Sequence, residues 1–485
     1  MPPSSPFFPL HNESRRSFLG KGSTGIGLAA LAGLLNQDQA MGKTVGGFTF
    51  PSFPAKAKRV IVLWQGGGPS HIDLLDPKPI LRKMAGKDIP TSVRGDTRLS
   101  TMSSNYKAWP CVPEIKPYQK YGKCGTEISS MLPNIGGLAD DLCIVRSLNT
   151  EAVNHAPGVT FTLTGSQIPG RPSMGAWLTY GLGSESEDLP AYVVMTSTDK
   201  GKTCGQLFYD YYWGSGFLPS KYQGVKFSST GAPVPYLNNP NGISSKGRRM
   251  LLDNIAKLNH AHHDQYGDPE IQTRISQYEM AFRMQTSVPE LLDFKKEPEN
   301  VIKRYGPDVE QRGTFASNCL TARRLLERGT RFVQLMHSGW DQHSNLFTQL
   351  EKQCSATDAP TAALIQDLKD RDMLKDTLVI WGGEFGRTPF GQYRSGDSTK
   401  PTGRDHFGRA FSWIMAGGGV KPGSTYGETD EFGWNITKDP VHIHDMQATI
   451  LHLCGIDHTK LTYRYQGRRF RLSDVHGHVK KGILA

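Results

Sequence analysis

The chain has 485 residues, 37% of them apolar, with 53 glycines, 31 prolines and a formal charge of +11. That length supports a large core and that composition excludes a wholly disordered chain, so a globular protein with many ordered loops is expected. The basic residues are scattered apart from Arg464, Arg468, Arg469 and Arg471, which argues against a nucleic-acid partner and leaves an anionic substrate or cell-envelope polymer.

Ser14-Arg15-Arg16-Ser17-Phe18-Leu19 precedes a weakly apolar run from Gly22 to Leu35. Residues 1–40 thus resemble a twin-arginine export signal, which the translocase reads and which is not an anchor. The run is too short and too rich in Gly and Ala for a stable membrane span. Export implies the periplasm or cell envelope. Residues 41–56 read as a linker, 57–475 as a single α/β domain with a loop and helical insertion at about 199–300, and 476–485 as a tail. The seven cysteines form no CxxC. Cys111 and Cys124 are the candidate disulfide, and Cys143, Cys319 and Cys454 sit in apolar patterns as buried thiols.

The stretch Val60 to Trp64 is a continuous apolar run, which reads as a strand of a parallel sheet buried on both faces. Gly66-Gly-Gly68 then permits a tight turn, followed by His71 and Asp73. Residues 130–140 carry a helix-like face. Cys143 to Leu148 is a second strand, and Asn154-His155 follows it with Pro157 suited to a helix's first turn. Further elements are a helix at 173–182, a strand at 191–195, helices at 248–263 and 270–292, and a helix at 314–328. In that last helix Arg323, Arg324 and Arg328 are expected outward. Strands at 332–336, 378–381 and 411–415 alternate with helices at 360–370 and 443–454. The loop from Tyr209 to Tyr236 reads as a lid, and His260, His262 and His263 as a solvated helix face. Strands alternating with helices give a mostly parallel central sheet with helices on both faces.

Polar groups recur after the strands: His71 with Asp73, Asn154 with His155, His337 with Asp341 and His343, Glu384 with Arg387, and Arg404-Asp405-His406. Strand ends on one edge of a parallel sheet converge. Imidazoles and carboxylates brought together suit a divalent metal ion such as Zn, Mn, Ca or Mg. His71, Asp73, Asp341, His343, Glu384 and His406 are therefore the candidate ligands. Arg387 or Arg404 is expected to clamp an anion. Asn154 and His155 complete the candidate catalytic set.

The segments Trp64-Gln-Gly-Gly-Gly-Pro-Ser-His-Ile-Asp73, Asn154-His-Ala-Pro157, Gly339-Trp-Asp-Gln-His343, Trp381-Gly-Gly-Glu-Phe-Gly-Arg-Thr-Pro389 and Gly403-Arg-Asp-His406 resemble the DUF1501 family of sulfatase-like exported proteins. The resemblance implies an alkaline phosphatase/sulfatase-like fold and metal-dependent hydrolysis of phosphate or sulfate esters. It also exposes departures. His155 stands where a sulfatase's nucleophilic Cys would be, Gly66 and Gly67 replace two metal-binding Asp, and Glu384-Phe385 keeps a carboxylate but loses an imidazole.

Three readings follow. The first is a metal-dependent ester hydrolase, with His155 as ligand, general base or phosphohistidine-type nucleophile. The second is a non-catalytic envelope protein binding a sulfated or phosphorylated glycan. The third is a metal-dependent lyase or mutase. An anionic small molecule or glycan is the expected partner.

Overall fold

Alternation along the first long strand explains the layering. In β1 (Arg59–Gly66), Ile61 and Leu63 point into one hydrophobic core while Val60, Val62 and Trp64 point into another. A strand buried on both faces needs helices on both sides of its sheet. The computed structural model describes residues 43–485 apart from 98, 101, 198–207, 235–236 and 395–396. The expected export signal and Cys204 lie outside the described residues.

The remaining strands of the sheet are β2 (Leu142–Asn149), β3 (Tyr192–Ser197), β4 (Val225–Phe227), β5 (Phe332–Ser338), β6 (Thr377–Gly382), β7 (Phe411–Ala416), β8 (Ser424–Tyr426) and β9 (Val441–His442). Their order is β8-β2-β7-β6-β1-β5-β3-β4, with β9 also on β2. Every pairing is parallel except those of β7, which runs against both β6 and β2. Helices α1 (His155–Thr164), α2 (Met174–Leu182) and α7 (Ile443–Leu453) cover the Val60 face. Helices α4 (Pro269–Leu292), α5 (Phe315–Glu327) and α6 (Leu346–Asp370) cover the Ile61 face. Helix α3 (Ser245–Tyr266) packs on α4 as a hairpin with one buried residue, Leu252. No helix of the described residues is long and apolar enough to cross a membrane.

Several expectations change. Because β7 is antiparallel, its glycines 417–419 lie at the opposite edge from the other strand ends, against the start of β6. The linker contains a hairpin, Lys43–Val45 with Phe48–Phe50, that buries Val45 and Phe50. The tail is anchored, with Ile483 buried and Ala485 donating to the Gly419 carbonyl. Residues 130–140 divide into a turn of helix at Pro133–Gly136 and a 3-10 turn at Ala139–Asp141. Helix α6 starts at Leu346, well before Pro360, because Leu346, Leu350 and Cys354 already bury one helical face. Arg323 and Arg324 point inward and pair with Glu297, while Arg323 also meets Asp367. In the expected lid, Tyr212 and Trp213 are buried and β4 joins the sheet edge. Cys111 and Cys124 are unbonded.

The turn after β1 needs its glycines. Gly67 has φ +116°, and a Cβ there would lie 2.3 Å from the Asp341 backbone nitrogen. Gly68 has φ +76°, and a Cβ would meet Phe385 at 2.8 Å. The loops after β1, β5 and β6 thus touch through bare backbone. Gly67→Ala is expected to cost about 2–3 kcal/mol in denaturant unfolding, from strain and overpacking together.

Candidate metal centre

The parallel strands β2, β1, β5 and β6 all end at one edge. After β2 the chain turns into α1, whose first residue is His155, with the Asn154 side chain accepting from the His155 backbone N–H. After β5 come Asp341 and His343, and after β6 come Glu384 and Arg387. A two-residue antiparallel ladder sets Arg387 opposite His406 and so carries His406 to the same place.

Four side chains converge. Asp341 Oδ1 lies 3.1 Å from His155 Nε2, 2.9 Å from His343 Nε2 and 3.4 Å from His406 Nε2. The Nε2 atoms of His343 and His406 are 2.9 Å apart. One donor atom from each of His155, Asp341, His343 and His406 lies within 4.8 Å of the others.

The far side of each imidazole decides what the near side offers. His155 Nδ1 lies 2.6 Å from Glu384 Oε1, His343 Nδ1 2.6 Å from Gln392 Oε1, and His406 Nδ1 3.1 Å from the Val153 carbonyl. A carboxylate, an amide oxygen and a carbonyl all accept, so each Nδ1 carries the hydrogen. Each neutral ring then presents a lone pair at Nε2. Three such lone pairs aimed at one carboxylate oxygen repel unless a proton or a cation sits among them. Tying the remote N–H to an acceptor is also how metal-binding histidines are held. Four of the six donor separations, at 2.9–3.4 Å, bracket the edge of a tetrahedron, roughly 3.3 Å, for bonds of about 2.0 Å, and the other two lie within 4.8 Å. Three imidazoles and a carboxylate therefore fit a divalent ion of the zinc or manganese type.

The charges agree. With protons in place of an ion on the Nε2 atoms, hydrogen bonds from the three imidazoles and the Arg387 charge hold the Asp341 carboxyl far below the usual range, against the burial that would raise it. Burial pulls His155 down, but Asp341 and Glu384 outweigh it and raise it. His406 is lowered to about 4, by burial first, against the pull of Asp341. A proton and an ion compete for the same atoms.

The family described as "Protein of unknown function (DUF1501)" matches residues 57–484. The chain belongs to DUF1501. No curated protein matches it. Among solved structures it is similar to PsFucS1 sulfatase from Pseudoalteromonas sp., at 12% identity over 82% of this chain and 68% of that one, with a TM-score of 0.33. It is similar to the lipoteichoic acid synthase LtaP from Listeria monocytogenes at 10% identity, 91% and 80% coverage and a TM-score of 0.34. It is also similar to the phosphonate monoester hydrolase SpPMH from Silicibacter pomeroyi at 12% identity, 67% and 68% coverage and a TM-score of 0.27.

In this DUF1501 chain the other candidates sit around the cluster rather than in it. Asp73 accepts from Arg404 through both oxygens, at 2.8 and 3.1 Å, and from Ser70 Oγ at 2.5 Å. That buried ion pair takes Asp73 out of the ligand set. His71 is buried too, with Nδ1 accepting from the Arg387 backbone N–H. Glu384 Oε1 accepts from the Gly67 N–H as well as facing His155, which makes it a support for an imidazole. Neither arginine is available to clamp an anion. Arg387 donates to the carbonyls of Gly67, Gly68, Trp340 and Arg404 and to Asp341. Beyond Asp73, Arg404 donates to the carbonyls of Thr388, Val112 and Pro113. His337 is a core histidine bonded to Ser197 and Gln353. Helix α3 leaves His260 and His262 exposed, as expected of a solvated face. Gln392 and the Val153 carbonyl were not foreseen: neither lies at the end of an apolar strand or in a recurring polar motif.

Two outcomes follow. Asp73→Ala is expected to destabilise the fold by about 3–5 kcal/mol, since it strands the buried Arg404 charge, while folded protein keeps its metal-binding capacity in a titration. His71 is lowered from 6.5 to about 4, by burial first, with Asp76 opposing. Below about pH 6.5 the unfolded chain takes up a proton that the folded chain refuses until about pH 4. Stability is therefore expected to fall across that window by roughly 3 kcal/mol from this group, and denaturant unfolding of His71→Gln to lack that component.

Proposed function

We propose that this DUF1501 protein is a metal-dependent hydrolase of phosphate or sulfate esters in the periplasm or cell envelope. One observation carries the reading: the Nε2 lone pairs of His155, His343 and His406 meet on Asp341 Oδ1, each ring fixed by an acceptor on its other nitrogen. His155, Asp341, His343 and His406 would hold a divalent ion there, which would supply Lewis acidity towards an ester oxygen or a water.

The protein's own groups complete the site. Arg387 donates to Asp341 Oδ1, the same oxygen the imidazoles approach, at 2.7 Å and so fixes the carboxylate. Glu384 fixes His155 and raises its basicity, as a carboxylate behind a ligating imidazole does. Phe385 packs on His155 and His406 at 5.0 and 4.7 Å between ring centroids and keeps water off that side. With both guanidinium groups spent internally, the chain's own group for meeting substrate charge is the positive end of α1, which starts at His155. The same internal pairing counts against a glycan binder that would rely on Arg387 and Arg404.

Protein purified without chelator is expected to hold about one equivalent of zinc or manganese by mass spectrometry. Asp341→Ala and His343→Ala are expected to lose the metal and the turnover of nitrophenyl phosphate or sulfate together. Gln392→Ala is expected to weaken metal affinity about 10–100-fold. Wild type that neither contains nor takes up metal would refute the reading, and metal without ester turnover would shift it to the lyase or mutase class.

A further inference from the structure

The basic cluster near the C-terminal end plays no part in the metal centre. Tyr463–Tyr465 and Arg468–Phe470 form an antiparallel hairpin whose register sets Arg464 directly opposite Arg469. Like charges directly opposite on a ladder are destabilising. Neither arginine has a carboxylate within ion-pair distance among the described residues. Asp474 is taken by Arg171 and Arg468, and Asp457 by Lys460. Two uncompensated cations are thus kept side by side at an exposed turn.

This hairpin adjoins the one at 43–50. A Cβ on Gly46 would lie 3.7 Å from Arg469, and the Lys460 ammonium lies 5.8 Å from the Phe48 ring centroid. Phe48 is 44% exposed and Tyr465 is 41% exposed. Nothing lies within 4 Å of a Cβ on Gly47 or Gly467, so both turns project into open space. The result is a projecting face of cations with the Phe48 ring beside them, while Tyr465 lies on the hairpin's other face, stacked on Phe217.

We propose that this face docks on an anionic lipid surface. A second copy of the chain is a poor partner, because each carries a formal +11. Residues 1–42 do not neutralise it either, since their charges are Arg15, Arg16 and Lys21 against Glu13 and Asp38. A projecting face suits a flat anionic bilayer, where arginines meet headgroups and an exposed ring such as Phe48 sits at the interface. A glycan chain is better gripped by a groove.

The test is co-sedimentation of the full chain with mixed phosphatidylglycerol–phosphatidylcholine vesicles and with phosphatidylcholine alone. Salt-sensitive binding to the mixed vesicles is expected, and none to phosphatidylcholine. The double variant Arg464→Ser with Arg469→Ser is expected to bind roughly thirtyfold more weakly, with metal content unchanged and a thermal midpoint equal to or above that of wild type. Lys120→Ser, on a different hairpin, is the control and should bind as wild type does. Equal binding by the double variant, or equal binding to both vesicle types, overturns the proposal. So does capture by soluble dextran sulfate with no vesicle binding, which would assign the face to a glycan. Metal content is read in the same samples, so failure here stays separate from failure of the hydrolase reading.

Discussion

The arrangement at the sheet edge depends on one enclosed guanidinium. Arg387 is buried and bonds the carbonyls of Gly67 and Gly68 after β1, Trp340 after β5, and Arg404 beyond the ladder, together with the Asp341 carboxylate. Four backbone carbonyls and a carboxylate facing inward would otherwise be costly to bury. A planar group with five donors satisfies them together, which a lysine's single ammonium does not reproduce. Arg404 does the same one layer out, for Asp73 and the 112–113 segment. The two arginines are therefore the framework on which the imidazoles are mounted.

This explains what was legible in the chain and what was not. Continuous apolar runs such as Val60–Trp64 and Leu378–Trp381 announced strands buried on both faces, and the helical periods between them announced the covering layers. The convergence of Asp341, His343 and His406 was legible as well, because each follows a strand or ladder on the same edge. The reversal of β7 was not, since an apolar run carries no direction. Pairing preferences were not legible either. Asp73 reads like a ligand until Arg404, more than three hundred positions away, is seen to claim both of its oxygens. Arg323 looked solvent-facing by helical period, yet Glu297 from another segment pulls it inward. Long-range charge pairing is a property of the packed chain, and no local pattern encodes it.

Three residues tighten the same centre. Gly67 permits the Asp341 backbone to approach where a side chain would block it. Phe385 packs against His155 and His406. Glu384 turns its carboxylate on His155. The turns after β1, β5 and β6 thus close around the imidazoles together.

The three acceptors behind the imidazoles come from three separate stretches: Val153 before α1, Glu384 after β6, and Gln392 beyond the ladder. None of them is near its imidazole in an extended chain, so the high-affinity form of the centre exists only once the sheet edge has closed. Ion occupancy and global folding are then one linked equilibrium. An ion at a hundred times its dissociation constant adds about 2.7 kcal/mol to the folded state, a sizeable fraction of what holds a typical domain together. On the proposed reading, a chelator would loosen these loops as well as strip the ion.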